Sequence, residues 1–273
     1  MNMVHMKPRL LGEPMVEFAQ ALGLPIDISA HGYRIDAIIG WVHVMMFVLF
    51  GGWGAFFIYT MIRFRRRKNP IADPQGVRSH ATSYLEAAIV VIELVLLFAL
   101  SIPFWASTVA KVPEPSEAMR VRVVAQQFQW NIHYAGPDGV FGRTDPSLVR
   151  PQENNHIGLD RDDLFGKDDV TTNNQLNVPI DQPVVIELSS LDVVHSFFVP
   201  VLRVKQDAVP GLVIPLTFTA TSTGKYEIAC AQLCGIGHAQ MRGFITLMEP
   251  TEFDQWLTDR SKEAQETGPS SFF

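Results

Sequence analysis

The pattern of apolar and polar positions divides the chain into two regimes. Two long apolar runs fill most of the first 105 residues. IDAIIGWVHVMMFVLFGGWGAFFIYTMI, Ile35 to Ile62, would span about 42 Å as a helix at roughly 1.5 Å per residue. YLEAAIVVIELVLLFALSIPFW, Tyr84 to Trp105, would span about 33 Å by the same rise. Each exceeds a hydrocarbon core of about 30 Å. A buried core helix of a soluble protein is the alternative, but Trp41, Tyr59, Tyr84 and Trp105 stand near the run ends, where aromatic residues anchor at membrane interfaces. The pattern therefore predicts a transmembrane helical hairpin over 35–105, with helices near 35–62 and 84–105, a loop at 63–83 and an N-terminal segment 1–34.

From residue 106 onward the period shortens. MRVRVVAQQFQWNIHY (Met119 to Tyr134) alternates and is rich in β-branched and aromatic residues. PVVIELSS, GLVIPLTFTAT, GKYEIAC and GFITLME are further short runs, separated by turn signals such as Pro210-Gly211 and Ser222-Thr223-Gly224. Several short strands at this spacing predict a β-sandwich or barrel over 106–273. The stretch 136–174 breaks the rhythm: it is polar, acidic and aperiodic, and is expected to be a long surface insertion. PTEFDQWLTDRSKEAQE, from Pro250, is expected to be a helix with Thr251 near its start.

Charge refines this division. The segment RFRRRKNPIADPQGVRSH places five of its six basic residues directly after the first apolar run. By the positive-inside rule that loop is cytoplasmic and both termini lie on the outer face. No removable signal peptide is read before Ile35. Residues 106–273 hold 13 basic and 21 acidic side chains, an excess that reads first as an acidic solvated surface and otherwise suggests a partner with a basic face, without naming one. The whole-chain formal charge of −6 gives no footprint for nucleic acid.

The candidate chemistry sits in CAQLCGIGHAQM, Cys230 to Met241, which holds both cysteines of the chain. Cys234, His238, Met241 and the upstream His195 would suffice for a mononuclear electron-transfer copper site of one thiolate, two imidazoles and a long axial thioether. Cys230 is then surplus, unless both sulfurs bridge a second copper. Each copper would keep one terminal histidine, with Met241 axial on one and a main-chain carbonyl near Gln232 axial on the other. A Cys230–Cys234 disulfide is the competing reading, and it leaves His195, His238 and Met241 without a purpose. The x3 spacing and the methionine do not suit tetrahedral zinc, and the chain has no C-x-x-C-H for covalent haem.

These motifs, with SSLDVVHSFFVPVLRVKQDAVPG (Ser189 to Gly211) and two helices ahead of them, resemble subunit II of a haem-copper cytochrome c oxidase. The resemblance covers the chain from about Ile35 onward. It implies a cupredoxin-like Greek-key sandwich that holds the binuclear copper centre CuA. It further implies an oxidoreductase complex in which this subunit accepts electrons from cytochrome c and passes them to haem in subunit I, where oxygen is reduced to water and protons are pumped. Carried over by position, His195 and His238 are the terminal imidazoles, Cys230 and Cys234 the bridging thiolates, Met241 the axial thioether and Gln232 the carbonyl ligand. No oxygen chemistry is expected on this chain itself. The implied partners are subunits I and III, cytochrome c and membrane lipid, and the implied place is a bacterial inner membrane with the copper domain on the periplasmic side.

Two departures stand out. The family places glutamate where this chain has Gln232, which removes an anionic ligand for a magnesium ion shared with subunit I and puts that site in doubt; glutamine offers a neutral oxygen. In AQQFQWNIHY (Ala125 to Tyr134), Phe128 stands where the family has the tryptophan that receives the electron. Phe128, Trp130 and Asp192 are the candidates for electron acceptance and donor docking, with core packing the alternative for both aromatics. Phe128 offers apolar contact without an indole N–H, which points to a donor other than a soluble mitochondrial-type cytochrome c, such as a membrane-held one in a supercomplex.

In the second helix, Glu86 matches the family's glutamate at the mouth of a proton path, with an interfacial charge as the alternative. Glu93 lies about 10 Å deeper on nearly the same face, so that face is expected to pack against subunit I. His43 is expected to be a hydrogen-bonded residue between helices rather than a haem ligand. Three other functions compete. A quinol oxidase subunit II would lack the copper ligands, and a nitrous oxide reductase type of protein would lack the helices. The third, a stand-alone membrane copper electron-transfer or redox-sensing protein, differs in having no haem-containing partner.

Overall fold

The structure is a computed structural model and describes residues 13–71, 75, 79–109 and 112–267. The chain forms two compact units, one of residues up to Leu24 with Tyr33–Thr108, the other of Pro25–Gly32 with Val109 onward.

The first unit is helical. A short helix α1 (Glu13–Ala21) precedes α2 (Gly32–Arg63), and Phe18 meets Phe47 edge-on at 6.4 Å between ring centroids. The second apolar run is one continuous rod with a change of winding: α3 (Ala81–Val95), a π-helical stretch Leu96–Ser101, then α4 (Ile102–Val109). Pro103 supplies the reason, because it has no N–H for the preceding turn and its ring crowds the carbonyl four residues back; a wider turn ahead of it relieves both problems. The Ser101 hydroxyl donates to the Leu96 carbonyl at 3.1 Å within that stretch.

Gly32–Arg63 and Ala81–Ser107 are long and apolar enough to cross a membrane, and their most apolar windows are only 11% and 0% buried in this chain. A core helix of a soluble protein would be covered by its own chain; these present their apolar surface outward. His43 finds its partner inside its own helix, with Nδ1 2.8 Å from the Ile39 carbonyl, so the expected bond between helices is replaced by one within α2.

Among the described residues the second unit is a sandwich of ten strands. They are β1 (Met119–Gln126), β2 (Gln129–Tyr134), β3 (Val170–Asn173), β4 (Gln175–Pro179), β5 (Pro183–Ser190), β6 (His195–Val199), β7 (Val204–Ala208), β8 (Ile214–Thr219), β9 (Gly224–Cys230) and β10 (Arg242–Met248). One sheet runs β3-β2-β1-β5-β8 and the other β4-β10-β9-β6-β7. The β1/β5 and β4/β10 pairs are parallel, so the chain crosses between sheets, and the remaining neighbours are antiparallel. Alternate residues of both inner faces fill the core, among them Val121, Val123, Trp130, Ile132, Ile186, Leu188, Phe197, Ile228 and Ile245. Helix α5 (Pro250–Thr267) closes the unit, with Trp256 edge-on to Tyr134.

Three features differ from the sequence expectation. The alternating run at Met119–Tyr134 folds back on itself at Gln127-Phe128 into the β1–β2 hairpin, with Gln126 opposite Gln129. The polar segment 136–174 contains β3 and is tied into the core: His133 on β2 and Asp169 form a fully buried pair at 2.5 Å, Gly142 N donates to the same Asp169 oxygen, and Arg161 donates to the carbonyls of Gly166 and Asp169. Its polarity is spent on internal bonds, which is why a hydropathy pattern reads it as loop. Part of the N-terminal segment also belongs to the sandwich. Ile28 N bonds the Val201 carbonyl, Ala30 N the Thr219 carbonyl and Thr221 N the Ile28 carbonyl, so residues 25–32 strap the β8 edge.

Candidate metal centre

Strand pairing assembles the site. His195 opens β6 and Cys230 closes β9, and the register Phe197↔Cys230 with the Ala231 N to Ser196 carbonyl bond sets the two ends side by side. The loop that follows brings Cys234 and His238 back toward them, and Met241 stands immediately before β10. The loop is tight because Phe128 lies against it. A Cβ at Gly237 would sit 2.5 Å from that ring, and Gly235 holds φ +133 with the ring 3.2 Å from where its Cβ would be. Only glycine fits at both positions.

The donor atoms converge. Sγ of Cys230 and Cys234 are 3.8 Å apart, His238 Nδ1 is 3.7 Å from Cys234 Sγ, and His195 Nδ1 is 4.0 Å from Cys230 Sγ. Met241 Sδ lies 3.1 Å from His195 Nδ1 and 3.8 Å from Cys234 Sγ, while the Gln232 carbonyl is 3.2 Å from Cys230 Sγ. A disulfide has its sulfurs about 2.05 Å apart, so the two cysteines are separate thiols. Their 3.8 Å separation is shorter than two metal–thiolate bonds of about 2.3 Å placed end to end, so both sulfurs reach a common ion. With soft sulfur and imidazole nitrogen as donors, the set fits copper and is unsuited to a hard cation. The six donors predicted from the sequence are thus brought together.

Burial sets the electrostatics. His195, Cys234 and Met241 are buried, and Cys230 and His238 are half-buried. Burial pushes the Cys234 thiol up to about 11, reinforced by the neighbouring Cys230. Binding of a cation must therefore release a proton there.

The carboxylate of Asp192 orients the first histidine. Nε2 of His195 is 2.8 Å from Asp192 Oδ1, which assigns the proton to Nε2 and leaves the Nδ1 lone pair facing the sulfurs. Asp192 also accepts from the amides of Gln127 and Val193, each at 2.7 Å. Partial burial would raise its carboxyl, but the bonds from His195, Gln127 and Val193 outweigh that and hold it below the usual carboxylate range. Gln127 completes the frame by donating from Nε2 to the Cys234 carbonyl at 2.7 Å. Sequence reasoning missed Gln127, and saw in Asp192 a docking residue with no sign of its bond to His195. The polar pair Gln126-Gln127 at the hairpin turn was the one available hint.

Of the two readings of Trp130, the structure supports core packing. The indole is fully buried, edge-on to Phe197 at 5.4 Å and to His195 at 6.3 Å, so it packs beneath the site and cannot contact a docking protein. It faces inward because β2 alternates and its inner face meets both sheets. Phe128 is half-buried over the metal-binding loop. Glu86 and Glu93 both lie on α3 with their side chains exposed on this chain.

Residues 119–248 match the family model described as cytochrome C oxidase subunit II, periplasmic domain. The chain is 38% identical over 155 residues to the alternative cytochrome c oxidase subunit 2 of Bradyrhizobium diazoefficiens, covering 56% of this chain and 55% of that relative, so it spans about half of its length. It is 26% identical over 250 residues to the cytochrome c oxidase subunit 2 of Synechocystis sp., covering 86% of this chain and 74% of that one. Among solved structures, the periplasmic domain of subunit II of cytochrome oxidase of Bradyrhizobium japonicum is similar at 26% identity and a TM-score of 0.41, over 56% of this chain and 99% of that one.

Proposed function

This chain belongs to the cytochrome c oxidase subunit II family, and from that premise we propose that it is the electron-accepting subunit of a proton-pumping terminal oxidase, taking electrons from a cytochrome c and delivering them to haem in subunit I. The observation that carries this reading is the convergence of two thiols 3.8 Å apart with an imidazole beside each. His195, Cys230, the Gln232 carbonyl, Cys234, His238 and Met241 would hold a binuclear copper centre. When bound, such a centre supplies one-electron transfer with an electron shared between two metals.

The chain's own residues make that chemistry fast and confined. The six donors that would hold the group all come from this chain, which suits electron transfer rather than substrate binding, and oxygen reduction belongs to subunit I. The hydrogen-bonded frame of Asp192 and Gln127, with buried Trp130 beneath it, fixes the donors before and after a change of charge, which keeps the reorganisation on electron transfer small. Phe128, packed on the loop, is the candidate contact toward the donor. Gln232 brings no carboxylate, so no step is assigned to magnesium.

In the proposed assembly α2 and α3 anchor the subunit in a bacterial inner membrane, with the basic loop cytoplasmic, the copper domain periplasmic, and subunits I and III as neighbours. Glu86 and Glu93 form the strip of α3 that faces subunit I. A midplane glutamate facing lipid would cost about 3 kcal/mol, which a protein or water contact avoids. The alternative, a stand-alone copper protein, is distinguished by the absence of a haem-containing partner on purification.

The test uses the purified oxidase. With Cys234→Ser, ferrocytochrome c should no longer reduce the haem, while a small chemical reductant still does. Haem reduction by cytochrome c at the wild-type rate in that variant would refute the role.

A further inference from the structure

A cavity of about 540 Å³ lies among the edge strands β3 and β4, the turn 151–156 and α5, and it shares no residue with the metal donors. That volume is within the range of small-molecule sites, roughly 300–1,000 Å³. Strand alternation makes its wall polar. Leu176 and Val178 of β4 turn into the core, so Gln175 and Asn177 turn outward. Neither of those two side-chain amides makes a hydrogen bond among the described residues; Gln175 and Asn177 bond Thr172 and Tyr134 through their main chains. The turn is a tight hairpin closed by the main-chain bonds between Arg150 and Asn155, and Asn173 Nδ2 donates to Asn154 Oδ1, which ties the turn to β3.

The chemistry of the wall selects the ligand. Five carboxamide residues line it: Gln152, Asn154, Asn173, Gln175 and Asn177. Each such group offers both donors and acceptors. Charge is sparse: among the described lining residues Glu153 and Arg260 are the ionised ones, and Arg260 already meets Glu263 at 3.1 Å. Burial holds the His156 imidazole below its ordinary value of 6.5, so it is neutral at pH 7. Trp256, half-buried and edge-on to Tyr134 at 5.1 Å, supplies an aromatic wall. An apolar ligand would leave the amides without partners. An anion would find one guanidinium, already engaged, and the opposing carboxylate of Glu153. A peptide strand added to the β3 edge would meet the turn that sits against Asn173. A neutral polyhydroxyl ring suits both parts of the wall, because each hydroxyl donates and accepts as a carboxamide does and the C–H face of the ring packs on an indole.

We propose that this cavity binds a neutral sugar ring of the hexopyranose class, with the carboxamides on its hydroxyls and Trp256 against its C–H face. The site is independent of the electron-accepting reading, since none of its residues holds or orients the metal donors. Free sugars and the carbohydrate chains of a cell envelope present the same ring, and chain length separates the two sources.

The test is equilibrium dialysis of labelled maltose and labelled chitobiose against the full chain, held in a detergent that has no sugar headgroup. At least one of the two should show saturable uptake of one molecule per chain, with a dissociation constant of about 1 mM or below. Trp256→Ala should weaken that binding at least about tenfold through loss of the aromatic wall. Because Trp256 also packs on Tyr134 and Phe253, a second variant guards against misfolding. Asn177→Val places a strand-favouring residue at an outward position whose amide bonds nothing in the chain, so the melting temperature should hold while binding weakens at least about fivefold. Six-unit chains of the same sugars that bind at least about tenfold more tightly than the disaccharide would assign the ligand to an envelope glycan; equal affinity would assign it to free sugar, and either result supports the site. Uptake that rises linearly without saturation, or saturable binding that survives both substitutions, would overturn the proposal. Tighter binding of trialanine or glucuronate than of either disaccharide would overturn the ligand class in favour of a peptide or an anion.

Discussion

Two histidines of the sandwich, His195 and His133, share one local device and serve different ends. Each is fully buried and each has Nε2 on an aspartate, Asp192 at 2.8 Å and Asp169 at 2.5 Å. They differ in what the other nitrogen meets. Nδ1 of His195 faces Met241 and Cys230, whereas Nδ1 of His133 has no hydrogen-bond partner among the described residues and its ring lies against Phe141. Their aspartates differ too, since Asp192 is 30% exposed and Asp169 is sealed at 0%. A carboxylate–imidazole pair is therefore a positioning device in both places. It serves a metal only where soft donors converge on the free nitrogen; elsewhere it pins a polar segment to a core.

The contrast breaks most sharply if either histidine is removed. His195→Ala should abolish copper binding and all electron delivery from cytochrome c while the domain stays folded, because water can reach the abandoned Asp192; copper analysis and thermal melting check both halves. His133→Ala should do the reverse, leaving the copper spectrum intact and lowering stability by about 3–5 kcal/mol, since it strands Asp169 in the core. An unfolded His195→Ala, or a stable His133→Ala, would dissolve the distinction.

The aspartates sharpen it at smaller scale. Asp192→Asn should weaken copper binding by about 10–100-fold through the misoriented ring, read by competition with a copper chelator. Asp169→Asn should leave copper affinity unchanged and lower stability by about 1–3 kcal/mol.

The smallest effect is in pH. Burial holds the His133 imidazole below its ordinary value of 6.5, against the opposing pull of Asp169. The unfolded chain therefore takes up a proton first as pH falls. Stability from this group is complete above the unfolded value near 6.5 and is lost progressively as pH drops toward the folded value. Denaturant melts of the wild type between pH 7.5 and 5 should show this loss, and a His133→Gln variant should show less of it.

The sequence disclosed these two sites unequally, for physical reasons. His195 stands in a run with turn residues before it and aromatic residues after it, and its partners Cys230, Cys234, His238 and Met241 fall within twelve residues of one another, so their chemistry is visible without coordinates. The two apolar helices are legible because length and apolarity are local properties, and the structure extends them by only a few residues at each end. His133 and Asp169 are 36 residues apart and meet only through the sandwich topology. Gln127 is likewise 107 residues from Cys234, and nothing in its neighbours marks it. Trp130 left both core packing and donor contact open because an aromatic in an alternating strand looks the same whether its face is inside or outside; the sheet pairing decides that. The strap at 25–32 escaped notice because a chain segment that adds a few backbone bonds to an edge needs no particular side chains.

The most direct measurement of the central claim is copper content with electron paramagnetic resonance on the full chain, which keeps the 25–32 strap that a fragment of the soluble part would lose. The account predicts two copper ions per chain and one unpaired electron with the hyperfine pattern of two equivalent nuclei, lost together in Cys230→Ser. One copper with the pattern of a single nucleus, unchanged by Cys230→Ser, would show that the second thiol bridges nothing and would contradict the binuclear centre.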